Sequence, residues 1–147
     1  MKVLKKFEEF LKDGTMKKVY PNPERAKSLI IESDRKLNSL NERIEKIGVK
    51  DNNANDYIEY CYDIIMLLIR AKLYARGYNS GGQGAHEAEV SYLRVLGFND
   101  NEVQFMVQLR YFRNGILYYG TFLDKEYAEK IIEFAKYICP KLKNILE

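Results

Sequence analysis

The sequence has no tryptophan, a single histidine (His86) and only two cysteines, Cys61 and Cys139, among its 147 residues. A metal site needs several sulfur, imidazole or carboxylate ligands at short, fixed spacings, and these residues do not provide them. The sequence therefore predicts no metal site, and we expect no cofactor. We interpret both cysteines as reduced, small core residues rather than as a disulfide pair.

Long apolar runs are also absent. The richest stretch, residues 64–69, is far shorter than the roughly 18 uncharged apolar residues of a membrane-spanning helix. Charges interrupt the first residues every two or three positions, unlike the apolar region of a signal peptide. We therefore expect a cytoplasmic protein that does not enter a membrane.

Positive and negative residues nearly balance, and the net charge is +3. Residues 1–20 contain six lysines and three acidic residues, so this segment alone accounts for the whole excess. Such a mild excess does not identify a nucleic-acid-binding protein, but a local basic patch can exist within a nearly neutral chain.

Strand-like alternation is missing as well, and almost every segment repeats its apolar residues with a helical period. Helices are predicted over residues 2–12, 23–47, 56–75, 85–96, 100–117 and 125–138, with Asn22, Asn99 and Asp124 as caps. Residues 77–84 are predicted to form a loop. Pro140 disfavours a helix interior and predicts a kinked or separate final turn.

These patterns predict an all-α, up-and-down bundle of four to six helices in a single domain. A short basic amphipathic helix within residues 1–20 precedes the bundle proper, residues 21–147. The helix over 56–75 is apolar on most sides, so we expect it at the centre. Asp63 lies within it and, if buried, would need an arginine or tyrosine partner from another helix.

Polar residues are concentrated in an apolar setting at residues 108–120. Arg110, Asn114 and Tyr118 are spaced by four residues and share a helix face, with Arg113 beside it. Together with Tyr119 they could bind a phosphate or stack on a base. The ordinary alternative is that the arginines are surface residues and the tyrosines cover the core.

The loop at 77–84 and the histidine that follows it form a second candidate site. Four glycines let a ligand approach the backbone there, but the loop lacks the Gly-Lys-Ser/Thr of a phosphate-binding loop. A simple helix connection is the alternative. His86 could act as an acid or base near neutral pH, or merely satisfy a helix end.

In their order along the chain, five stretches give this sequence a resemblance to a known family: residues 23–40, 53–78, 82–98, 109–120 and 124–138. The sequence resembles small archaeal members of the HEPN family. The resemblance implies a helical bundle that commonly dimerises. In active members an R-x(4–6)-H pattern with an adjacent polar residue forms a metal-independent RNA-cleaving site. Other members bind RNA or nucleotides, or act beside partner proteins, as in toxin–antitoxin pairs.

Carried over to this chain, the motif places its arginine at Arg113 and its polar residue at Asn114. The histidine position falls on Tyr118, with Tyr119 as the near alternative. A tyrosine with a pKa near 10 is ionised only about 0.1% of the time at pH 7, so it is a weak base. His86 would substitute only if the fold brought it to the same cleft.

The leading expectation is a homodimer that binds RNA or a nucleotide through Arg110, Arg113, Asn114 and Tyr118, with Tyr119 nearby and weak or no ribonuclease activity. The first alternative is a metal-independent, toxin-like endoribonuclease that uses Tyr118 or His86 for proton transfer. The second is a non-catalytic, antitoxin-like interaction subunit whose partner is encoded by a neighbouring gene.

Overall fold

A computed structural model describes residues 3–145 of the chain. Within this range the fold is an α-helical bundle with a small two-stranded antiparallel sheet, which confirms the expected class. Its helices are α1 (Phe7–Asp13), α2 (Pro23–Ile47), α3 (Ala54–Arg76), α4 (Ala85–Val95), α5 (Asp100–Tyr119) and α6 (Lys125–Lys143). The strands are β1 (Met16–Lys18) and β2 (Tyr78–Ser80), and a short 3-10 turn covers Asp51–Asn53.

Helix α3 forms the centre of the bundle, as its apolar sequence predicts. Thirteen of its 23 residues are buried, and they cover most of its circumference. Each buried leucine or isoleucine side chain contributes roughly 1.5–3 kcal/mol through removal from water. The other helices must therefore cover most of α3, and a stripe through Asp56, Tyr60 and Asp63 stays partly open to solvent. The hydroxyl of Ser33 on α2 donates to the carbonyl of Ile64 at 3.1 Å within this packed interior.

The long helices alternate in direction. The N–H of Asn22 donates to the carbonyl of Tyr74 at 2.8 Å, and the hydroxyl of Tyr57 donates to the carbonyl of Gly48 at 3.0 Å. These contacts make α2 and α3 antiparallel. At the start of α3, the side-chain amide of Asn55 donates to the carbonyl just after α5 at 2.9 Å, so α5 is antiparallel to α3 as well. Up-and-down packing therefore holds for the main helices.

The N-terminal segment docks on the bundle. Leu4, Phe7, Phe10 and Met16 are buried, and β1 pairs with β2. The ring of Phe7 meets that of Tyr78 edge-on, with centroids 5.0 Å apart. The helix predicted over residues 2–12 begins only at Phe7; residues 1 and 2 lie outside the described range.

Two local expectations were wrong. The first is that the chain contains no strand, since residues 16–18 and 78–80 pair as β1 and β2. Three residues are too few for an alternating pattern to be recognised, and the pairing partners are 60 to 64 residues apart. The predicted loop at 77–84 therefore begins with a strand.

The second error concerns Pro140, which lies inside α6 rather than in a separate turn. Proline removes one backbone hydrogen bond, to the carbonyl four residues earlier. Both Pro140 and Lys136 are on the exposed side of α6, where water can satisfy that carbonyl. The following turn is held by buried Leu142 and by Lys141, whose ammonium pairs with Glu102 at 2.8 Å.

Asp63 also differs from expectation. It is only partly buried, and its partner is a lysine, not an arginine or a tyrosine: Lys36 Nζ lies 3.7 Å from Asp63 Oδ2. By contrast, the predicted caps are confirmed. The side chains of Asn22, Asn99 and Asp124 each accept a backbone N–H in the first turn of their helices.

Gly77 allows the N-terminal segment to cross the end of α3. It has a φ of +88°, and a Cβ at this position would lie 2.5 Å from the carbonyl oxygen of Val19. We expect Gly77→Ala to destabilise the fold by about 3 kcal/mol, because backbone strain and a backbone clash combine. Gly97→Ala is the matched control, with a φ of +94° and open space around it. It should cost only about 1 kcal/mol. Urea unfolding of both variants measures the difference, and equal losses would contradict the clash.

Candidate functional site

The predicted site residues converge on one pocket between the glycine-rich loop, the start of α4 and the second half of α5. Its volume is about 290 Å³, and it is lined by Gly82, Gly84, Ala85, His86, Arg110, Arg113, Asn114 and Tyr118. The two candidate sites of the sequence are therefore a single site. Tyr119 is not part of the lining and is 86% exposed.

Helix α5 supplies the basic wall. Its capping box at Asn99 and Glu102 fixes the start, and its helical geometry extends to Tyr119, two residues beyond the predicted end. The four-residue spacing of Arg110, Asn114 and Tyr118 then places these side chains along one stripe. Arg110 and Arg113 continue the buried face of α5, because the buried residues Met106 and Leu109 lie one turn before them.

Arg113 is oriented by an aromatic ring. Its guanidinium carbon lies 4.9 Å from the centroid of the Tyr62 ring, which is a favourable cation–π geometry. The Nε atom of Arg113 is buried without a hydrogen-bond acceptor. Within residues 3–145, no carboxylate lies within ion-pair distance of this guanidinium. Its charge is therefore available to a ligand.

Arg110 is only partly neutralised. Its Nη2 atom lies 3.5 Å from Glu87 Oε1, a long contact to a carboxylate that is half exposed. The Nε of Arg110, like that of Arg113, is buried and unpaired. Unsatisfied buried donors are rare in folded proteins, and two in one pocket indicate a site whose side-chain arrangement is not optimised for stability alone.

His86 contacts protein groups through both ring nitrogens. Its Nδ1 lies 2.9 Å from the hydroxyl of Tyr62, and its Nε2 lies 3.5 Å from Nη2 of Arg70. An arginine can only donate, so Nε2 is the acceptor and Nδ1 carries the proton that Tyr62 accepts. Burial lowers the pKa of His86, and the nearby arginines lower it further against the opposing charge of Glu89. The imidazole is therefore neutral at pH 7.

A second layer of polar side chains supports the histidine. Arg70 Nε donates to Oε2 of Glu89 at 2.9 Å, and the hydroxyl of Ser80 donates to the same oxygen at 3.0 Å. The carboxylate of Glu89 is almost fully buried, and its other oxygen has no partner. This cluster joins α3, α4 and β2, and so holds the glycine-rich loop at the pocket.

Sequence reasoning missed Tyr62, Arg70 and Glu89. Arg70 follows the apolar stretch of α3, and Glu89 lies among buried residues in the middle of α4. Each is therefore a charged residue close to apolar neighbours. That signal marks a buried pair but does not name the partner. Tyr62 carried no signal, because an aromatic residue in an apolar helix is normally a core residue.

The chemistry available in the pocket is anion binding rather than strong base catalysis. Burial raises the pKa of Tyr62 to about 12, so its hydroxyl stays protonated. Both nitrogens of His86 are engaged, and Tyr118 is 72% exposed. The arginines and the Asn114 amide are suited to phosphate oxygens. No group of three or more potential metal-ligating side chains occurs within residues 3–145.

Several large apolar side chains are exposed where α5 ends. We call this set the aromatic patch; it consists of Leu117, Tyr118, Tyr119 and Phe122, which are 48% to 86% exposed. Exposed apolar side chains gathered at one end of a helix are a candidate binding surface. No helix in the described part of the chain has the length and apolar character needed to cross a membrane.

Comparisons with protein-family models, with curated proteins and with solved structures gave no match to this chain.

The single histidine offers a direct test of the site. We expect a pKa below 6.5 for His86, measured by NMR titration of its imidazole protons. Because folding lowers this pKa, the unfolded chain binds more protons near pH 6, and stability is lost as the pH falls from 6.5 towards the folded value. His86→Asn should remove that part of the pH dependence of urea unfolding. A titration at or above 6.5 would contradict the buried, neutral imidazole.

Proposed function

We propose that this protein is a HEPN-type, dimeric RNA- or nucleotide-binding protein with weak or no ribonuclease activity. The observation that carries the proposal is the pocket in which Arg110, Arg113 and Asn114 face the glycine-rich loop. The family part of the proposal rests on the sequence resemblance, in which Arg113 and Asn114 occupy the motif positions.

The arrangement of Arg113 supports phosphate binding. A guanidinium stacked on Tyr62 loses little further side-chain freedom when it contacts a ligand, so less affinity is lost to ordering. Asn114 is one position along α5 and could orient the same phosphate. Tyr118, at the open side of the pocket, could stack on a base.

The state of His86 argues against efficient cleavage. A general base in RNA cleavage must reach the 2′-hydroxyl proton, and a general acid must reach the leaving oxygen. His86 already donates to Tyr62 and accepts from Arg70. The endoribonuclease alternative is nevertheless favoured by one specific observation, which is that His86 lines the same pocket as Arg113 and Tyr118.

RNA binding and cleavage by the purified protein in EDTA, beside Arg113→Ala, test the proposal. We expect measurable binding, and a loss of about tenfold or more in affinity in Arg113→Ala, because a charge-assisted phosphate contact is removed. Arg35→Ala is the control, since Arg35 is an exposed arginine of α2 that pairs with Glu32 outside the pocket.

Other outcomes select the alternatives. Cleavage in EDTA that disappears in both Arg113→Ala and His86→Ala would make the protein an endoribonuclease. If neither binding nor cleavage is observed, the interaction-subunit alternative remains. In that case the arginines and tyrosines would pack against a partner protein.

The aromatic patch is the surface we assign to the dimer, because its exposed side chains lie beside the pocket at the end of α5. Phe122→Glu should convert a dimer to a monomer in sedimentation velocity, since a charge would be buried at the interface. Tyr20→Glu is the matched control; Tyr20 is 94% exposed and lies near the opposite end of α3. A monomeric parent protein, or equal behaviour of the two variants, would argue against this interface.

A further inference from the structure

A second cavity adjoins the arginine pocket on the other side of the glycine-rich loop. Its volume is about 390 Å³, and its lining includes Lys17, Asn79, Gly81 and Gly82. Gly82 lines both cavities, so they meet at this residue. A ligand that is longer than the arginine pocket reaches the second cavity by crossing the loop at Gly82.

Two donors stand side by side in the second cavity. Lys17 and Asn79 are directly opposite in the β1–β2 pairing, and both are exposed. The Cβ atoms of such a pair are about 5 Å apart. Tyr74 donates to the side-chain oxygen of Asn79 at 3.1 Å, which orients the amide and leaves its nitrogen as the donor end. Within residues 3–145, Lys17 forms no ion pair. An ammonium beside an amide donor complements a phosphate.

The glycine-rich loop between the two cavities carries no side chains at Gly81 and Gly82 and is held in position. A Cβ at Gly81 or Gly82 would meet no atom within 4 Å, so no side chain stands above the loop there. The N–H of Gly81 donates to the carbonyl of Thr15 at 3.0 Å, which ties the loop to the N-terminal segment. A ligand backbone can therefore lie directly over the loop.

The distribution of charge points the same way. Residues 1–20 carry the whole net charge of the chain, and β1 places one lysine of this segment, Lys17, beside the glycine-rich loop. Lys17 is the cationic side chain that lines the cavity adjoining the arginine pocket. Glu87, the carboxylate nearest to Arg110, is paired with that arginine at 3.5 Å.

We propose that the two cavities form one track for a polynucleotide, with one phosphate at Arg110 and Arg113 and another phosphate of the same chain at Lys17 and Asn79. This inference rests on the proposed phosphate binding by the arginines. It goes beyond that function by making a nucleic-acid chain, rather than a mononucleotide, the ligand.

The experiment compares UMP with oligouridylates of two, four and eight nucleotides, binding to the full chain in EDTA at several salt concentrations. Affinity should rise with length from UMP to the longer oligonucleotides. Lys17→Ala should weaken octamer binding about fivefold at low salt. It should also reduce the slope of log affinity against log salt by about 0.7, the value for one phosphate contact with a single strand. UMP binding should stay unchanged.

Lys12→Ala is the matched control, because Lys12 is an exposed lysine of the same segment that lines neither cavity. Equal effects of Lys12→Ala and Lys17→Ala would overturn the track in favour of diffuse electrostatic attraction. The track would also be overturned by an affinity that does not depend on oligonucleotide length, or by a loss of UMP affinity in Lys17→Ala.

Arg113→Ala reports separately on the proposed function. If Arg113→Ala weakens UMP and octamer alike while Lys17→Ala changes nothing, the arginine pocket stands and the track fails. If no ligand binds, or binding is insensitive to Arg113→Ala, both fail. Thermal unfolding verifies that each variant is folded.

Discussion

The burial of α3 on nearly all sides is the constraint from which the rest of the structure follows. A helix this apolar must be covered, and α2, α4, α5 and α6 all pack against it. Some polar side chains of α3, such as Asp63, stay partly exposed, and others lie in gaps between the surrounding helices. Tyr62 and Arg70 fill such a gap between α4 and α5, and this is where the candidate site lies.

Tyr62 links the two halves of that site. Its ring lies under the guanidinium of Arg113, and its hydroxyl accepts from His86. One buried side chain thus orients the guanidinium that we propose as a phosphate ligand, and it holds the histidine in one tautomer. The same arrangement that prepares the pocket for an anion removes the imidazole from proton transfer. The proposed ligand binding and the expected weak catalysis would therefore have a common structural origin.

Much of the fold could be predicted from the sequence because its signals are local. Helical periodicity identified the six helices, and side-chain caps such as Asn99 and Asp124 fixed several ends. The exceptions have physical reasons. The strands β1 and β2 are too short to show a pattern, and Pro140 lies on an exposed face where its missing hydrogen bond costs little. Arg110, Asn114 and Tyr118 were grouped correctly because a four-residue spacing is itself a spatial relation.

The sequence by itself determined the helices, the apolar centre at α3 and the basic stripe on α5, since each depends on residues within a turn or two of one another. Only the tertiary structure decided that His86 and the glycine-rich loop meet that stripe, and that Tyr62 lies beneath it. The hydrogen bond from His86 spans 24 positions, and the contact of Arg113 with Tyr62 joins two different helices. The placement of Lys17 beside the loop was likewise decided by pairing between distant strands. Such contacts depend on how the helices pack around α3, which no local pattern in the chain records.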